Sequence, residues 1–169
     1  MESTATHRPP LAQVLGLVVA FVVTFGAAAI GGFGSADAPM VYSQLAKPTW
    51  APPPWLFGPV WTVLYALVAV AAWLVWRRAR GATLVVALSL FGTQLIVNAL
   101  WSWLFFRWRL GLASFLDIVL LWLLVAATGV AFWRVDRTAA GLLVPYLTWV
   151  AFAAVLNWTL WRGNPGVLG

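Results

Sequence analysis

Few side chains in this 169-residue chain can do acid–base, nucleophilic or metal chemistry. Cysteine is absent, and the one histidine, His7, lies in a polar N-terminal stretch. Thiolate or histidine metal sites, cysteine nucleophiles and a Ser-His-Asp triad are therefore excluded from the rest of the chain. A single carboxylate, Asp117, falls inside an apolar run, so no paired acids of the glycosidase kind are available. No glycine-rich loop precedes a lysine in the way a phosphate cradle requires. What remains is 13 tryptophans, 10 phenylalanines, three tyrosines and a few amides. Their spacing is regular. Gln94, Asn98 and Ser102 recur at fours with Trp101 beside them; so do Phe57, Trp61 and Tyr65, and so do Trp149, Ala153, Asn157 and Trp161. On a helix that interval puts each set on one stripe. With Asp117, these stripes describe aromatic walls carrying a few polar groups, the composition of a pocket for a flat, mostly apolar molecule.

Each of these residues also has a plainer use. Amides in membrane helices bond neighbouring helices for about 0.6–2 kcal/mol. Trp73, Trp76, Trp103, Trp108, Trp133 and Trp161 lie near the ends of apolar runs, where an interfacial aromatic belt is expected. Trp61 and Trp149 lie deeper, and belt duty explains them less well. Asp117 either pairs with an arginine or tyrosine or carries a proton. Pro145 is expected to kink its helix. Gly26, Ala27, Ala29, Gly31 and Gly32 make the first run thin enough for close packing.

The elements that hold these residues are five apolar runs, at 11–33, 55–76, 82–106, 110–133 and 139–161, uncharged apart from Asp117. Each has 22 to 25 residues, against the roughly 20 that a helix needs to cross the hydrocarbon. Without water to bond the backbone at that depth, each run is expected to be helical. Charged residues make up only 8% of the chain, where a soluble domain has about 25%. The fold class is thus an all-α integral membrane protein, a bundle of five transmembrane helices. A polar tail (1–10) precedes the membrane domain (11–163) and a short tail (164–169) follows it. Between the first two runs, segment 34–54 carries Pro39, Pro48, Pro52, Pro53 and Pro54 and is expected to be a long lid loop. The other connections are tight, so consecutive helices are expected to lie antiparallel and packed. The net charge of +6 sits between the apolar runs, where it meets lipid headgroups, so no nucleic-acid partner is expected. Six basic residues flank one side of the runs and four the other, which places the N-terminus in the cytoplasm. The arginine-rich, lysine-poor composition suggests a bacterial cell envelope.

The segment Lys47-Pro48-Thr49-Trp50-Ala51-Pro52-Pro53-Pro54-Trp55 is distinctive, as is Gly58-Pro59-Val60-Trp61 followed by Leu64-Tyr65. Gln94-Leu95, Asn98, Trp101, Phe105-Phe106, Val144-Pro145-Tyr146-Leu147, Trp149 and Leu156-Asn157-Trp158 follow in order. Over residues 11 to 163 the chain resembles the tryptophan-rich sensory protein and translocator protein family (TspO/MBR). The resemblance implies a five-helix bundle, often a homodimer, whose pocket opens under the loop between the first two spans. It implies a porphyrin or heme-type tetrapyrrole as ligand rather than a covalent cofactor, with a sensory role in tetrapyrrole regulation or stress response. Light- or oxygen-dependent porphyrin breakdown through pocket tryptophans, and facilitated transport of tetrapyrrole or lipid, are the alternatives. By position, Trp61 and Trp149 match the family's pocket tryptophans, and Ala153 and Leu156 match its wall. Asp117 matches an acid beside the pocket, and Gln94 and Asn98 match its amides. Tyr42, Trp50 and Pro52 match its lid. The animal sterol motif has a tyrosine where this chain has Trp158, which weakens the case for cholesterol.

Overall fold

The computed structural model describes residues 8–169; His7 and most of the expected N-terminal tail lie outside the described residues. The described residues form six α-helices: α1 (Pro10–Gly34), α2 (Ala38–Gln44), α3 (Phe57–Arg78), α4 (Gly81–Ser102), α5 (Gly111–Trp133) and α6 (Arg137–Gly163). A 3₁₀ turn (Pro54–Leu56) leads into α3, and a π-helical turn (Trp103–Arg107) extends α4. Among the described residues, five helices are long and apolar enough to cross a membrane: α1, α3 with its leading turn, α4 with its π turn, α5 and α6. At 23 to 27 residues each reaches about 35–40 Å at 1.5 Å per residue, more than the ~30 Å hydrocarbon core.

The five long helices close into a ring in the order α1–α3–α6–α5–α4, each packing on its neighbours, and α4 returns to α1. This differs in one place from the expectation that consecutive helices pack together. α3 and α4 are joined by a tight turn yet touch only lightly, because α1 lies against both. The thin face of α1 permits this. A Cβ on Gly31 would lie 3.4 Å from the Ala99 Cα of α4, and one on Gly34 would lie 2.7 Å from the Trp103 ring. At the opposite end of α1, Gly16 sits directly against Trp76 at the end of α3.

Segment 34–54 is not all loop. It folds back on the bundle through α2, whose Pro39 sits in the first turn, where a missing N–H costs nothing. Val41, Tyr42 and Leu45 are buried and form an apolar cluster with Phe105, Leu156, Leu160 and Leu168. Lys47 Nζ donates to the carbonyls of Tyr42 (2.8 Å) and Leu45 (3.1 Å), satisfying acceptors at the C-terminal end of α2. Residues 164–169 also fold back: Leu168 is fully buried, and its carbonyl accepts from the Gly111 N–H at 3.2 Å. Asn164 joins the two segments. Its Oδ1 accepts from the Ala46 N–H at 2.7 Å and its Nδ2 donates to the Ala46 carbonyl at 3.0 Å.

At the other end of the bundle, Asp136 caps α6. Its Oδ1 accepts from the N–H groups of Thr138 (2.8 Å) and Ala139 (3.2 Å), and its Oδ2 pairs with Arg78 at the end of α3. Three arginines at this end lie over indoles: Arg8 over Trp76, Arg77 over Trp73 and Arg137 over Trp133. Those pairs fit a headgroup boundary, where an apolar ring and a charged tip are both accommodated.

Candidate functional site

A cavity of about 330 Å³ lies under the α2 lid, walled by α1, α3, α4 and α6 but not α5. The small residues Ala28, Gly31 and Gly32 of α1 form one side. α3 contributes Phe57, Trp61 and Tyr65, each a helical turn apart, and α2 contributes Tyr42 from above. α4 and its π turn supply Asn98, Trp101, Phe105 and Phe106, while α6 supplies Ala153, Leu156 and Asn157. The π turn adds a residue to the last turn of α4, a local departure of the kind often found at functional sites.

Aromatic stacking stiffens these walls. Trp61 stacks on Tyr65 with centroids 5.4 Å apart, and Trp101 stacks on Phe105 at the same distance. Behind the aromatic wall runs a hydrogen-bonded chain. Tyr65 Oη donates to Asn98 Oδ1 (2.7 Å), Asn98 Nδ2 donates to Tyr146 Oη (2.6 Å), and Tyr146 Oη donates to Gln94 Oε1 (2.9 Å). Gln94, Asn98 and Tyr146 are buried, so this chain joins α3, α4 and α6 where no water competes. A second link, from Trp101 Nε1 to Asn157 Oδ1 at 2.8 Å, ties α4 to α6 closer to the lid.

Of the residues singled out in the sequence, Tyr42, Phe57, Trp61, Asn98, Trp101, Ala153 and Leu156 converge on this cavity. Gln94 stands behind it as the last member of the chain. Pro52 meets it indirectly: its carbonyl accepts the Tyr42 hydroxyl at 2.9 Å. Burial pushes the Tyr42 phenol above its ordinary pKa. Trp149 does not line the cavity, so Trp61 and Trp149 do not stand as two facing indoles across it. Trp149 lies edge-on to Phe57 at 6.1 Å and against Phe152 at 5.4 Å, with Trp50 beyond at 5.9 Å from Phe152. Trp149, Phe152 and Trp50 thus back the wall that Phe57 presents. Asp117 is on the buried face of α5, away from the cavity lining, and its Oδ2 has no hydrogen-bond partner. Tyr65, Ser102 and Asn157 also line the cavity, each foreshadowed by its four-residue stripe and Asn157 also by the Leu156-Asn157-Trp158 motif; Tyr146, behind the wall, was not an expected pocket residue. Tyr146 follows Pro145, and nothing in its spacing reveals its two hydrogen bonds. Among the described residues, no group of three His, Cys, Asp or Glu side chains could hold a metal ion.

Five apolar helices of membrane length, closed in a ring with an aromatic cavity between four of them, define an integral membrane protein. The chain belongs to the TspO/MBR family, which it matches over residues 18–162. It is 43% identical over 145 residues to the tryptophan-rich protein TspO of Chlorobaculum tepidum, covering 81% of this chain and 90% of that one. To the translocator protein of Sus scrofa it is 42% identical over 130 residues, 76% of this chain and 77% of the other. Protein CrtK of Rhodobacter capsulatus is 42% identical over 153 residues, with 86% and 93% covered.

Proposed function

We propose that this membrane protein binds a porphyrin or similar flat tetrapyrrole in the cavity beneath α2 and senses its presence through the lid. The observation that carries this reading is the cavity itself, a partly open space faced by Trp61, Trp101, Phe57 and Phe105 and lined mostly by apolar surface. Stacking against such rings adds about 0.5–1.5 kcal/mol per pair beyond area burial. The volume of about 330 Å³ stands near the lower end of the range for small-molecule sites, roughly 300–1,000 Å³. A tetrapyrrole therefore enters by lifting α2, with its charged propionates left at the mouth near Lys47. This coupling of occupancy to lid position is the sensory event.

The test is a titration of the full chain with protoporphyrin, followed by quenching of its tryptophan fluorescence. Trp61→Ala should weaken binding by about tenfold, the equivalent of one lost stacking contact. Trp149→Ala should weaken it less, since that ring acts through Phe57. Unchanged affinity in a folded Trp61/Trp149 double variant would rule the cavity out as the binding site. A second reading, light-driven porphyrin breakdown, is favoured by the stacking of Trp61 on Tyr65, which itself feeds the hydrogen-bonded chain. That reading requires Tyr65→Phe to change the rate of product formation without changing porphyrin affinity. We further propose a homodimer in a bacterial envelope membrane with a cytoplasmic N-terminus. Accessibility of single cysteines placed at 82 and 109 to an impermeant reagent checks the orientation.

A further inference from the structure

The seam between α1 and α3 is filled by side chains at its far end and its middle and is empty near the lid. At the end away from α2, Gly16 sits against Trp76, and Trp73 Nε1 donates to the Gln13 carbonyl at 2.8 Å. Midway, Phe25 meets Tyr65 with ring centroids 6.3 Å apart. These contacts set an antiparallel register. Gly32 lies seven residues beyond Phe25, and Gly58 lies seven residues before Tyr65. Seven residues make about two helical turns and about 10 Å of rise, so the two glycines return to the same faces and stand opposite each other on the lid side. Both line the cavity and both are exposed. A Cβ on either would meet no neighbour among the described residues within 4 Å. The seam is thus open here by the width of two missing side chains. On the α4 side of α1 the same level is shut, with Gly31 close on Ala99 and Gly34 on Trp103.

What lies outside the opening decides what can use it. Its frame is glycine and proline: Gly32 and Gly58 at the sides, with the exposed Pro39 of α2 and Pro54 above them. No charged side chain lines the cavity behind it. Phe33, next to Gly32, is 73% exposed, and Trp55, next to Pro54, is 71% exposed. A mouth facing water would leave both rings wet, whereas the membrane accommodates them. α1 is longer than the hydrocarbon core is thick, and Gly32 stands two residues from its end. The opening therefore lies about where acyl chains meet headgroups.

We propose that the cavity opens sideways into the bilayer through a slot between α1 and α3, framed by Gly32 and Gly58, and that its ligand is a membrane-partitioned amphiphile. A flat apolar body passes edge-on between the glycines while its polar end stays among the headgroups. Ala38 and Pro39, at the start of α2, form the upper edge of the slot, so lifting the lid widens it. This inference rests on the reading of the cavity as a ligand site. It adds the direction of entry and the phase that supplies the ligand.

The test places one thiol inside the cavity of the full chain in phosphatidylcholine vesicles. Native cysteine is absent, so Ala153→Cys, on the α6 wall, reports without background. N-phenylmaleimide, which dissolves in the bilayer, should modify that thiol, and an impermeant quaternary ammonium thiosulfonate should not. Gly32→Leu or Gly58→Leu, each filling open space, should slow the maleimide by about tenfold by raising the barrier to passage. Gly26→Leu is the control: it also adds a side chain to open space on α1, but away from the cavity, and should leave the rate unchanged. Equal reaction with the charged reagent, a thiol that neither reagent reaches, or a maleimide rate that both plugs leave unchanged in folded chains would overturn the proposal. So would equal slowing by Gly26→Leu. Protoporphyrin separates this failure from failure of the cavity reading. If it binds and the plugs slow neither its loading nor its release, only the slot falls. If it does not bind while the maleimide still enters through the slot, the tetrapyrrole reading falls and the slot stands.

Discussion

At the scale of single residues, the polar side chains matter most because so few are present and each is far from water. The chain Tyr65–Asn98–Tyr146–Gln94 gives Asn98 a partner for both ends of its amide. Asn98→Leu keeps the volume but strands the Tyr65 hydroxyl as a donor and removes the donor that Tyr146 accepts. It should lower stability by about 1–3 kcal/mol, seen as a lower midpoint of thermal unfolding in detergent. Tyr146→Phe should cost a similar amount, and the double variant less than the sum, because both changes remove one shared bond. Tyr42 gives a pH test. Burial raises its pKa, so the neutral phenol that bonds Pro52 contributes stability that is complete below the ordinary phenol range. That stability is lost as pH rises through the raised value. The lid should therefore stay closed across neutral pH and loosen only in strong alkali, and Tyr42→Phe should remove the alkaline step. Hydrogen exchange at residues 41–46, followed against pH, is the measurement.

At the scale of elements, the lid is held from below by apolar packing and from the side by one amide. Asn164 reproduces with its side chain the paired donor and acceptor of a strand, using them on the backbone of Ala46. Asn164→Ala should release both bonds to Ala46 and a third to the Leu160 carbonyl, about 1.5–4.5 kcal/mol together at about 0.5–1.5 kcal/mol each. Exchange should quicken at 45–47 while the five long helices keep their protection. The same substitution should speed ligand entry if lid opening is the gate. Gly111 is the other point of close approach: a Cβ there would run into the Trp161 ring and the Leu168 carbonyl. Gly111→Ala should displace the C-terminal strap, with an overpacking cost of about 1–3 kcal/mol, and should reproduce the Asn164→Ala exchange pattern. A chain in which Gly111→Ala left the lid unchanged would show that the strap and the lid are independent.

At the scale of the molecule, the ring order is the feature with the widest consequence. Placing α1 between α3 and α4 opens room for a cavity that α1 covers with glycine and alanine rather than with bulky side chains. The native chain has no cysteine, so engineered pairs report on this order without background. A Gly31→Cys, Ala99→Cys pair should form a disulfide, since the Gly31 Cβ position is 3.4 Å from the Ala99 Cα and bridged Cα atoms stand about 4.4–6.8 Å apart. Gel mobility after oxidation, with and without reductant, reads the result. Failure to cross-link in a folded chain would contradict the position of α1 against α4.

The sequence by itself determined the membrane class, the five spans and which polar and aromatic residues share a stripe on α3, α4 and α6. Burial of apolar side chains and satisfaction of the backbone follow from composition and from a spacing of about four. It also drew attention to the stripe that contains Trp61 and to the amide Asn98. The tertiary structure alone decided which stripes share a cavity. Trp149 has the same spacing credentials as Trp61, yet it packs behind Phe57, because the rotation of α6 is set by its contacts with α5 and α3. Asn157 reaches the cavity by the same rotation. The proline-rich segment read as a loop because prolines break helices in their interiors. Its Pro39 falls in a first turn instead, where a lid helix loses nothing by it. Spacing along one helix fixes which residues travel together, whereas only the packing of its neighbours fixes where they point.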